Sequence, residues 1–193
     1  MRSVRLFKGQ IKYLLREVVP LSHFAVWRWP KDDVLITPNA QSCGGPDAVV
    51  KQVTTGESTE VEICWPSDGE QRNQDAIAVN ENRPPEYCVR DIDEAHHKFL
   101  DRFRHIARRK ATKDYTGGIL LFVLDLGDFS LNEPSHKKCI MEFVEELKTI
   151  PFRADEVYLL LHPTSCSKTY FESPIMTIGS VCPATTREQE LRL

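Results

Sequence analysis

The stretch that decides the fold is Pro46 to Trp65, Pro-Asp-Ala-Val-Val-Lys-Gln-Val-Thr-Thr-Gly-Glu-Ser-Thr-Glu-Val-Glu-Ile-Cys-Trp. Residues 46–53 read as one strand, and Thr54 to Ser58, with Gly56, reads as a turn. Thr59 to Trp65 then alternates Val61, Ile63 and Trp65 against Glu60, Glu62 and Cys64. Two such strands joined by a short glycine-containing turn predict a β-hairpin. Glu60 and Glu62 leave the same face because strand side chains alternate. A turn centred near Thr55-Gly56 sets Lys51 opposite Glu60 and Val49 opposite Glu62, and brings Asp47 near Cys64, diagonal to Glu62. Three carboxylates gathered on one sheet face repel each other. A hard oxygen-seeking cation such as Mg²⁺ relieves that repulsion and can orient a water at a phosphate.

Outward from the hairpin, Gln10 to Val19 carries Ile11, Leu14, Leu15, Val18 and Val19 at helical spacing, with Pro20 expected to end that helix. Phe24 to Trp29 and Asp33 to Thr37 read as strands. In that reading Trp27 and Trp29 share one face, either as core or as an exposed stacking surface. Residues 38–45 read as loop, and residues 66–90 as a long polar excursion with a short strand at 76–79. Asp91 to Lys110 is the longest helix, acidic at its start and basic at its end, which suits the helix dipole. Gly117-Gly118 reads as a turn before the apolar strand Ile119 to Asp125. A helix over Glu133 to Thr149, a strand over Asp155 to His162 and a short strand at Met176 to Ile178 follow. Strand, helix, strand at this spacing predicts a parallel βαβ unit. The expected fold class is therefore α/β, a three-layer mixed sheet with helices on both faces.

Here the residues meet a family resemblance. Pro46-Asp47, a hairpin turn and an acid between apolar residues (Val61-Glu62-Ile63) resemble the motif of the PD-(D/E)xK, or restriction-endonuclease-like, phosphodiesterase superfamily. The order of elements from residue 10 to 125 is similar to that family's αβββαβ core, extended here by a C-terminal αβ unit. The resemblance implies that Asp47 and Glu60 or Glu62 bind Mg²⁺ (or Mn²⁺), joined by Glu17 on the first helix. It also implies a lysine that positions the attacking water. No lysine stands two residues after either acid. Some members use Glu-x-Glu, and in others the lysine comes from a neighbouring strand or helix, for which Lys51 is the nearest candidate by the expected pairing. Arg102, Arg104, Arg108, Arg109 and Lys110 are the candidate phosphate-backbone contacts. The expected function is that of a divergent Mg²⁺-dependent nuclease, on DNA rather than RNA. The alternative is a catalytically inactive protein- or nucleic-acid-interaction module on the same scaffold.

The 193 residues suit one domain, over 1–186, with a charged tail at 187–193. A net charge of -3 excludes coating of nucleic acid by bulk charge, so any such contact needs a local basic patch. The longest apolar run, Ile119 to Leu124, falls far short of the ~20 residues of a membrane span. Arg2, Arg5 and Lys8 precede no apolar core, so no secretory signal is read and a cytoplasmic site is expected. The six cysteines have no zinc-knuckle spacing and are expected as free thiols. No phosphate-binding glycine loop precedes a helix. His96-His97 are adjacent and cannot chelate as an i, i+4 pair would. Asp125, Asp128 and His162 at strand ends offer a third reading, a small-molecule crevice.

Overall fold

The structure, a computed structural model, describes residues 17–30, 33–39, 45–65, 92–125, 133–162 and 175–180. Helical backbone runs through Pro20 instead of stopping at it, from a π-helical turn at Glu17 and Val18. Helix α1 spans Val19–Arg28 with Pro20 in its first turn. A missing N–H costs nothing there, because the first amides of a helix lack intrahelical partners, and proline's φ is already helical. The segment expected as a strand, Phe24 to Trp29, is thus the body and cap of α1. Its i, i+3, i+4 set Leu21, Phe24 and Ala25 is buried. Both indoles belong to the core reading: Trp29 is 6% exposed and Trp27 packs against the same cluster. Residues 10–16 of the helix expected over Gln10 to Val19 lie outside the described residues, as do the expected strand at 76–79 and the tail at 187–193.

Strands β1 (Val34–Pro38), β2 (Ala48–Gln52) and β3 (Ser58–Cys64) form an antiparallel meander. The register differs from expectation. Ala48 pairs with Val61, Val49 with Glu60, and Lys51 with Ser58. The cause is the turn: Gly56 N–H donates to the Gln52 carbonyl, and Gln52 N–H to the Glu57 carbonyl. That centres the loop between Thr54 and Thr55, with Gly56 at φ +76. Moving the centre by one residue moves every pairing by two, which keeps each side chain on its face.

Helix α2 (Ile92–Ala111) leads to β4 (Asp114–Asp125), which runs parallel to β3. Gly117-Gly118 is not the turn between them. It lies inside β4, at a bulge between Tyr115 and Ile119. Gly117 has φ +85, a conformation open chiefly to glycine. At Gly118 a Cβ would stand 3.1 Å from the Glu60 carbonyl oxygen, so the bulge lets β4 approach β3 closely. Helix α3 (Pro134–Lys148) crosses to β5 (Arg153–His162), parallel to β4, and β6 (Ile175–Ser180) returns antiparallel. The sheet is mixed and open, with strands in chain order β1-β2-β3-β4-β5-β6.

Two apolar layers flank it. Leu21, Phe24 and Trp29 of α1 pack with Val61, Ile63, Leu121 and Tyr158 on one face. Leu100 and Phe103 of α2 and Phe143 and Leu147 of α3 pack with Leu120, Phe122 and Leu159 on the other. The expected layering, helices on both faces of a mixed sheet, is what the described residues form. Arg28 of α1 clamps Glu156 of β5 through two hydrogen bonds, 3.1 and 2.9 Å, and the Tyr158 hydroxyl donates to the same carboxylate. Among the described residues, Cys64 and Cys139 are not in disulfides. No helix among the described residues is long and apolar enough to cross a membrane.

Candidate functional site

Asp47 stands just before β2. The Asn39 amide pins it by donating to the Asp47 carbonyl at 2.8 Å, one step beyond the β1–β2 ladder. Its side chain turns to β3, where Oδ2 accepts the Ile63 N–H at 2.7 Å. Extending the observed pairing sets Asp47 opposite Glu62, closer than the diagonal relation expected from sequence. Glu62 and Cys64 project from β3 toward α2, whose last turn brings Lys110 over them. Lys110 Nζ lies 2.5 Å from Glu62 Oε1, with the two side chains 13% and 18% exposed. The ring of Tyr115, at the start of β4, has its centroid 5.7 Å from the same ammonium.

Electrostatics follow from this packing. Burial, with Glu62 beside it, raises the Asp47 carboxyl above its ordinary range, partly offset by the Ile63 amide and Lys110. Burial works against the Lys110 charge, but at neutral pH, where the Cys64 thiol is uncharged, the hydrogen bond to Glu62 and the Glu62 charge hold it. The ammonium is held above the usual lysine range. Burial pushes the Cys64 thiol up to about 12, so at pH 7 it is neutral and a poor nucleophile. The site is therefore two carboxylates and one fixed cation, all half-buried.

Of the expected site residues, Asp47 and Glu62 are brought together. Glu60 shares their face but is exposed, paired with Val49 and Gly118 further along the strand. Lys51 is exposed opposite Ser58, about 13 Å along β2 from Asp47 at ordinary strand rise, so it is not the site's lysine. Glu17 sits half-buried in the turn before α1, whose body packs on the other face of the sheet. Among the described residues no three of His, Cys, Asp or Glu form a group that could hold a metal ion, so the expected ligand set of Asp47, Glu60, Glu62 and Glu17 is not assembled. Asp47 and Glu62 are the two carboxylates that could contribute to a Mg²⁺ site, an ion commonly held by one or two carboxylates with substrate phosphates and waters filling the rest, although Ile63 N–H and Lys110 each occupy one of their oxygens. The rise in the Asp47 pKa comes from burial first, and the smaller share from Glu62 is the repulsion such an ion would relieve.

The basic residues of α2 divide. Arg104 and Arg108 reach Glu146 of α3 at 2.6 and 3.4 Å, and Arg104 also holds Asp101 at 2.7 Å. Lys110 belongs to Glu62, while Arg102 and Arg109 stay on the outer side. Sequence placed Lys110 among the phosphate contacts and missed its inward role. The available signal was its spacing from Phe103 and Ala107, the buried line of α2.

Across the sheet, His23 of α1 and His162 of β5 stack at 6.2 Å with an interplanar angle of 22°, and Trp65 meets His162 edge-on at 5.6 Å. His162 pairs with Asp125, as a shared strand end requires. Both histidines are buried, 7% and 8% exposed, so they form a packed junction, not an open crevice. Asp128 lies outside the described residues. No family model matches the chain, and no curated protein or solved structure matches it.

Proposed function

We propose that the protein is a metal-dependent phosphodiesterase acting on nucleic acid, built on a restriction-endonuclease-like core. The order α1-β1-β2-β3-α2-β4, with β3 and β4 parallel, supports that core. The observation that carries the reading is Lys110 Nζ at 2.5 Å from Glu62, with Asp47 on the adjoining strand. The family's acid, acid and lysine are then all represented, the lysine arriving from a helix instead of two residues after the acid.

In this reading Asp47 and Glu62 hold Mg²⁺ or Mn²⁺. The bound ion would supply charge neutralisation at the scissile phosphate and acidify a water. Lys110 gives one N–H to Glu62 and sits against Cys64 and Tyr115, and in this reading an N–H turned from them to a water or a phosphate oxygen would orient it. The Ile63 amide fixes the Asp47 carboxylate so that it meets the ion without rearranging. Cleavage of plasmid and single-stranded DNA in Mg²⁺ or Mn²⁺ tests this against Asp47→Ala, Glu62→Ala and Lys110→Met. Each variant is expected to lose at least 100-fold in rate, and equal cleavage by wild type and all three removes the reading. The competing reading, an inactive interaction module, is favoured by the same ion pair if it serves only to lock α2 onto β3. Calorimetric titration with Mn²⁺ separates them: the module binds none, and the phosphodiesterase binds one ion that Asp47→Ala abolishes.

A further inference from the structure

Helix α2 carries cations around most of its circumference, and the structure assigns them different tasks. Arg104 and Arg108 are bound to Glu146, and Lys110 to Glu62. Lys98, Arg102, His105 and Arg109, spaced i, i+4, i+7, i+11, lie on a single line along the helix. Lys98, His105 and Arg109 are exposed and Arg102 is half-buried. The side chains of Arg102, His105 and Arg109 make no hydrogen bond or ion pair among the described residues. The line is about 16 Å long at helical rise. Asp101, the one acid between Lys98 and Ala111, is turned to Arg104. Exposed Lys113 follows the helix end.

We propose that this stripe is a docking track for a nucleic-acid phosphate backbone, passing the Asp47–Glu62 pair at Arg109, the neighbour of Lys110. The substrate class rests on the phosphodiesterase reading; the surface is tested apart from it. Charge carries the choice of partner. The chain is acidic overall at -3, so a line holding the charges of Lys98, Arg102 and Arg109 is a local feature, matched by a polymer with repeated single negative charges. Peptide and membrane partners fit worse, because the stripe has no apolar residue to anchor them. The apolar residues of α2 that such a partner would need, Leu100, Phe103 and Ala107, are buried in the core.

The test is fluorescence anisotropy with the full chain, labelled duplex DNA, single-stranded DNA and RNA of one sequence, in EDTA, across a KCl series. EDTA removes catalysis from the measurement. Binding to at least one nucleic acid is expected to weaken steeply with salt. Arg102→Glu/Arg109→Glu should weaken it at least 10-fold and reduce the slope of log K against log salt by about 2. Lys98→Glu/Arg109→Glu, at exposed positions, should do the same, with the fold checked by circular dichroism. Lys138→Glu/Lys148→Glu on α3 makes the same change in net charge and should leave affinity within about twofold. Three outcomes overturn the proposal: no salt-dependent binding to any of the three nucleic acids, an equal loss in the α3 variant, or binding to phosphatidylserine vesicles in place of nucleic acid. Stripe-dependent binding without metal-dependent cleavage sinks the phosphodiesterase chemistry and leaves the track standing. Cleavage that survives both stripe reversals with unchanged affinity sinks the track alone.

Discussion

Lys110 keeps its charge in a place where most lysines would be expensive to hold. Its ammonium is largely withdrawn from water and is compensated by one carboxylate at 2.5 Å. Removing one partner of such a pair leaves the other charged, poorly hydrated and unmatched, which costs far more than the pair contributes over an apolar substitute. Lys110→Met is therefore expected to lower unfolding free energy by about 3 kcal/mol in urea titrations. Lys110→Met/Glu62→Leu should recover most of that loss, since the two side chains act as a unit. Asp47 behaves in the opposite sense. Its folded carboxyl titrates above the ordinary 3.8. Between those two values the folded chain holds a proton the unfolded chain has released, so stability falls as pH rises through the window and the deficit is complete above it. Asp47→Asn keeps an acceptor for the Ile63 amide and removes the charge. It is expected to raise stability at pH 7 by about 1 kcal/mol, the gain vanishing near pH 3.5, while abolishing metal binding. A stabilising substitution that destroys function would show that this carboxylate is retained for chemistry.

The elements show how far periodicity carries and where it stops. The hairpin was legible because Val61, Ile63 and Trp65 alternate with Glu60, Glu62 and Cys64 beside a glycine turn. Its register was not, because Thr54, Thr55 and Gly56 admit more than one turn centre and only the Gln52–Gly56 and Gln52–Glu57 hydrogen bonds choose. Helix α1 was misread since Pro20 suits both a helix stop and a helix start, and aromatic residues from Phe24 to Trp29 favour strands on propensity alone. Tertiary anchors decide: the Arg28–Glu156 clamp and the His23–His162 stack hold α1 to β5. The acids of the site were legible from their strand positions, whereas the Lys110 contact spans 48 residues and depends on where α2 crosses the sheet. His23 titrates below its ordinary 6.5, through burial first and the charge of His162 second. The unfolded chain then takes up the proton more readily, so stability is complete above pH 6.5 and is lost as pH falls below it. Urea midpoints at pH 8 and 5.5 should differ for the wild type, and the difference should shrink in His23→Gln. In β4, Gly117→Ala meets no steric neighbour but must hold φ +85, and is expected to cost about 1 kcal/mol by thermal unfolding.

At the scale of the molecule, function is expected to gather on one side. The face covered by α2 and α3 carries the acid pair, its lysine and the outer basic stripe. The face covered by α1 is closed by aromatic and aliphatic side chains and by buried histidines. Expectation from sequence succeeded at this level because layer and class follow from the order of elements, which composition and periodicity report. The arrangement of the strands has a further consequence, for synthesis. Because spatial order repeats chain order, a polypeptide leaving the ribosome never has to wedge a later strand between two that are already joined. Each newly emerged strand finds its left-hand neighbour waiting and leaves its right-hand border open for the next, so the sheet can grow by simple addition at the pace of translation.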